Sequence, residues 1–116
     1  MDRIYPTAVD GTYSIEVETG AAMFKVVDCK LTVKNGLMTA VITLSGTGYD
    51  YLYMGTEKAA EKADRKLWVP YVADANGKYT YTIPVEALDK EIAVASHSIK
   101  KNQWYARTLT FKYDTL

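Results

Sequence analysis

Cysteine, histidine and proline are scarce in this chain of 116 residues, with one, one and three of each. The lone thiol, Cys29, has no partner for an internal disulfide. One Cys and one His, far apart in sequence, also lack the ligand spacing of a zinc site. Excess charge is missing: lysine plus arginine match aspartate plus glutamate at 14 each. That balance removes the basic footprint that nucleic acid needs, and the bulk charge that an anionic membrane surface attracts. The apolar runs are a few residues long, too short for a membrane-inserted span. No GxSxG elbow, P-loop or dinucleotide glycine pattern occurs. No sequence feature pairs a nucleophile with a base, so the chain does not read as an enzyme. Residues 1–10 read as a polar leader or linker without an apolar signal core, ahead of a single domain over residues 11–116.

What is plentiful is tyrosine, ten against two Phe and two Trp. Tyrosine forms strands well and offers flat amphipathic contact surface. The stretch from Gly11 to Thr19 alternates Tyr13, Ile15 and Val17 against polar residues, the pattern of a half-buried strand. Cys29 to Lys34 alternates with Cys29, Leu31 and Val33 inward, which predicts a buried, unpaired thiol. Asn35-Gly36 predicts a type I′ hairpin turn into a strand from Leu37 to Leu44. Tyr49 to Met54 is a further strand, with Tyr49, Tyr51 and Tyr53 on one face.

A short surface helix is expected within Thr56 to Lys66, with Thr56 as N-cap and Ala59, Ala60 and Ala63 facing the core. Lys78 to Ile83 reads as a strand, the segment from Pro84 to Lys90 as one helical turn, and Glu91 to Ser98 as a strand. In that last strand Ile92, Val94 and Ser96 share one face, and Ala93, Ala95 and His97 the other. Gln103 to Tyr113 is the final strand. Short strands at this spacing predict an all-β, immunoglobulin-like antiparallel sandwich with one short helical insertion.

DGTYSIEVE, KLTVKNGLMTAVITL, IPVEALDKEIAV and NQWYARTLTF, in that order, resemble the NEAT family, the iron-transport-associated haem-binding domains of Gram-positive surface proteins. The resemblance implies an extracellular, cell-surface module that binds haem or another porphyrin without chemistry, for iron acquisition. It implies a slot between residues 20–26 and residues 99–109. There Met23 and Phe24 would form the lip, Trp104 a stacking wall, Lys101 a partner for a propionate, and Tyr105 the iron ligand, with His97 as the alternative ligand. The family's haem binders carry a Y-x-x-x-Y pattern on the last strand. Here the partner position of Tyr105 holds Lys101 in one register and Leu109 in the other. The alternative function is an interaction or spacer domain of a larger surface protein, with a protein or glycan partner and no haem.

Overall fold

Asn35 and Gly36 both adopt positive φ, at 52° and 78°, as the type I′ turn requires. They join β3 (Val26–Lys34) to β4 (Leu37–Leu44), and register pairs Lys34 with Leu37 and Leu31 with Ala40. The computed structural model describes residues 6–20 and 24–116. Among the described residues, ten strands form two antiparallel sheets. One sheet runs β1 (Gly11–Ser14), β3, β4, β8 (Tyr79–Val85), β7 (Val72–Ala73). The other runs β2 (Val17–Thr19), β10 (Gln103–Phe111), β9 (Ile92–Ser98), β5 (Tyr49–Tyr53), β6 (Val69–Pro70). The fold is an all-β antiparallel sandwich with one short helix.

The alternating strands supply the core from their inner faces. Cys29, Leu31, Val33, Ile42 and Ile83 of the first sheet bury against Leu52, Val94, Leu109 and Phe111 of the second, with Phe24, Tyr81 and Leu88 fully enclosed among them. Burial pushes the Cys29 thiol up to about 12, with the Asp28 carboxylate adding to the rise.

Three expectations need correction. The strand expected from Gly11 to Thr19 is two strands. β1 pairs with β3, the chain crosses over at Ile15, and β2 pairs with β10. Side-chain alternation continues across the crossing, so the pattern alone hides it. The helical turn expected from Pro84 to Lys90 is absent. Pro84 and Val85 end strand β8, and Asp89 turns with φ at 59°. Pro84 lies past the last β7 partner of β8, at an edge position, where a strand tolerates proline. The last strand ends at Phe111, and residues Tyr113–Thr115 form a 3₁₀ turn.

The helical insertion falls within the stretch predicted for it. α1 spans Glu57–Lys62, and the Thr56 hydroxyl accepts from the Ala59 amide at 3.2 Å. Asp64 then caps a 3₁₀ turn at Arg65–Leu67. Of Ala59, Ala60 and the C-cap Ala63, only Ala60 is buried. It packs with Ala95 and Trp104 on the outer face of the second sheet.

Candidate functional site

At one end of the sandwich the sheets part around a cleft of about 550 Å³. Three segments build it. The approach to β3 contributes Phe24 and Lys25, and the β4–β5 turn contributes Ser45, Gly46 and Gly48. The β9–β10 hairpin contributes Ser98, Lys100 and Lys101. Strand β10 alternates in period 2, so Tyr105, Arg107, Leu109 and Phe111 share its inner face. Leu109 and Phe111 fill the core, while Tyr105 and Arg107 reach the cleft.

Arg107 is the centre of the site. Its Nη2 donates to the Tyr49 hydroxyl at 2.9 Å. The guanidinium carbon lies 5.2 Å from the Tyr105 ring centre, 5.7 Å from that of Tyr49 and 5.9 Å from that of Phe24. Its Nε is buried without a hydrogen-bond partner among the described residues. An aromatic surround strips water from a cation, and a desolvated cation gains most from an anion brought against it. Lys25, Lys100 and Lys101 add positive charge around the cleft, and none of the described lining residues is acidic.

Of the residues expected at the site, Phe24, Lys101 and Tyr105 line this cleft. Phe24 is fully buried and packs edge-on against Tyr49, with ring centres 5.6 Å apart, so it is floor and core rather than lip. Met23 lies outside the described residues. Leu109 is fully buried in the core and Lys101 lines the cleft, so of the two partner positions for Tyr105 only the lysine shares its space.

Trp104 is not a wall of this cleft. Neighbouring residues of a strand point to opposite faces, and beside an inward Tyr105 the indole of Trp104 points outward. It is buried under α1, 5.0 Å from the Trp68 ring centre and 5.2 Å from that of His97. His97 also faces outward. Its Nδ1 lies 2.6 Å from Asp50 Oδ1 and its Nε2 3.0 Å from Asn102 Oδ1. The alternative iron ligand is thus on the far side of the sheet from Tyr105, with both ring nitrogens engaged. No group of metal-ligating residues occurs among the described residues.

Lys25, Lys100 and Arg107 fall within the two segments expected to form the slot but were not singled out, and Tyr49 lies outside them. Arg107 had a signal: it stands two residues from Tyr105 on the inward face of an amphipathic strand, where a charge is out of place. Tyr49 had none, because the approach of β5 to β10 is a matter of sheet order.

These features define a β-sandwich with a cationic, aromatic-floored cleft at one end. No protein-family model matches the chain, and no curated protein sequence matches it.

Proposed function

We propose that the cleft binds a flat, carboxylate-bearing macrocycle of the haem class, as a non-enzymatic module of the NEAT type acting in iron acquisition at a Gram-positive cell surface. The observation that carries this reading is the pairing of a phenol, Tyr105, with an aromatic floor and several cations in one cleft whose described lining residues include no acid. A volume of about 550 Å³ falls inside the range of small-molecule sites, roughly 300–1,000 Å³. Phe24 and Tyr49 supply apolar ring surface. Lys25, Lys100, Lys101 and Arg107 suit the two carboxylates such a ligand carries. Tyr105 is the residue that would hold the iron, since a ferric ion stabilises the phenolate form of tyrosine. Lys101, which lines the same cleft, complements either the phenolate or a carboxylate.

A hemin titration followed through the Soret band tests the reading. Saturable binding with a ferric–tyrosinate band is expected, and Tyr105→Phe should remove that band while leaving the fold intact. No Soret shift in excess hemin would end the haem reading.

A second reading rests on the edge formed by β6 and β7. Leu67, Tyr71 and Val72 are 61%, 39% and 64% exposed around β6 and β7. That apolar strip suits a protein or glycan partner, and the chain then acts as an interaction or spacer domain without haem.

A further inference from the structure

Three residues on the outside of the second sheet sit back to back with three residues of the cleft. Asp50 follows Tyr49, His97 precedes Ser98 and Asn102 follows Lys101. The first of each pair faces away from the cleft or leaves it, and the second lines it. Asp50 is the extra residue of a bulge between the pairs Tyr49–Ser98 and Tyr51–His97. Bulges of this kind redirect a side chain, and here the carboxylate meets His97 Nδ1 at 2.6 Å. Asn102 holds a left-handed φ of 49° in the hairpin tip. That conformation costs a non-glycine residue free energy, and the bond from its side chain to His97 Nε2 offsets the cost. Asp50 Oδ1 accepts a hydrogen bond from the Nδ1–H, and Asn102 Oδ1 lies against Nε2, so both ring nitrogens are held.

The chain of contacts is roofed. Trp68 stacks over His97 at 6.3 Å with the planes 16° apart, and its Nε1 donates to the Ala60 carbonyl of α1 at 3.0 Å. The His97 and Asp50 side chains are only 14% and 27% exposed. On the inner side the same hairpin is tied by the Lys101 amide to Ser98 Oγ at 3.1 Å and by the Ile99 amide to the Gly48 carbonyl at 2.9 Å.

We propose that His97 is a positioning residue for the cleft. Through Asp50 and Asn102 it clamps strand β5 to the hairpin tip, presets where Lys100 and Lys101 stand, and owes its shielding to the helical insertion. The link to ligand affinity rests on the haem-type reading of the cleft; the clamp itself does not.

Asn102→Gly separates the clamp from backbone strain, because glycine keeps the left-handed φ and loses only the side-chain bond. His97→Ala removes both bonds, and His97→Gln restores one. Amide hydrogen exchange read residue by residue is the decisive measurement. A lost hydrogen bond of ordinary strength predicts roughly three- to tenfold faster exchange at residues 99–102 in Asn102→Gly. Core amides such as those of Leu31 and Ile42 should be unchanged, and His97→Gln should recover part of the protection lost in His97→Ala. Hemin affinity should fall by a similar factor. Unchanged exchange at the tip overturns the clamp, and so does acceleration spread evenly through both sheets. Equal hemin affinity in wild type and Asn102→Gly overturns its role in binding. A wild type that ignores hemin yet loses tip protection in both variants keeps the clamp and sinks only the haem reading.

Discussion

Arg107 and Tyr49, 58 residues apart in the chain, meet through a hydrogen bond of 2.9 Å at the floor of the cleft. The contact joins the last strand to the middle of the chain. It also fixes a guanidinium that would otherwise sweep many rotamers, so less entropy is lost when an anion arrives.

Replacing Arg107 with Met keeps most of the side-chain volume and removes the charge. A charge-assisted hydrogen bond contributes about 1.5–3 kcal/mol, so hemin affinity should fall roughly ten- to a hundredfold by the same constant. The dimethyl ester of hemin, which lacks the carboxylates, should bind wild type and variant alike. Equal losses for both ligands would assign Arg107 to packing rather than to anion binding.

Stability should fall in alkali. Burial raises the Cys29 thiol from its ordinary value of 9.0 to about 12 in the fold, with the Asp28 carboxylate adding to the rise. Between those values the unfolded chain has released a proton that the folded chain retains, so rising pH favours unfolding. Stability is whole below about pH 9, and declines above it by at most about 1.4 kcal/mol per pH unit for this one group. Tyr81 acts in the same direction, since burial also raises its hydroxyl. Urea melts at pH 8 and pH 10.5 read the loss, and Cys29→Ala should make the decline shallower. At neutral pH a thiol reagent should label native Cys29 only as fast as the protein opens.

Tyr81→Phe removes one oxygen from the core. That hydroxyl donates to the backbone carbonyl of Tyr49, a bond that the substitution removes. A cost of about 0.5–1.5 kcal/mol is expected, measurable by chemical denaturation, together with weaker protection around Tyr49.

Thr56→Ala deletes the N-cap of α1. Loss of such a cap costs about 0.5–2 kcal/mol of helix stability. The six-residue helix lies outside the main core, so the effect should be local. Faster exchange of the Ala59 and Ala60 amides with little change in global melting is the expected result. A large drop in melting temperature would mean that α1 is needed by the whole sandwich.

The parts of this fold legible in the sequence are those governed by near neighbours. The Asn35-Gly36 turn, the Thr56 cap and the inward Cys29, Leu31 and Val33 each follow from chemistry within a few residues. The crossing at Ile15 was invisible because it preserves alternation, and Pro84 misled because its tolerance depends on the short reach of β7. The site divides the same way. Tyr105 and Lys101 could be read from the last strand, whereas Tyr49 enters only through the order of strands in the sheet. Trp104 was readable and misread: its parity along the strand is opposite to that of Tyr105.

The early crossing between sheets has a consequence for synthesis. β1 can pair with β3 soon after both emerge, but β2 must wait for β10, whose Phe111 pairs with Val17. Until β10 has left the ribosome, that segment has no strand to join. Contacts so distant in sequence close slowly, and an open edge is exposed to other chains meanwhile. The sandwich therefore seals last along the seam between β2 and β10, and loss of either strand releases the same seam.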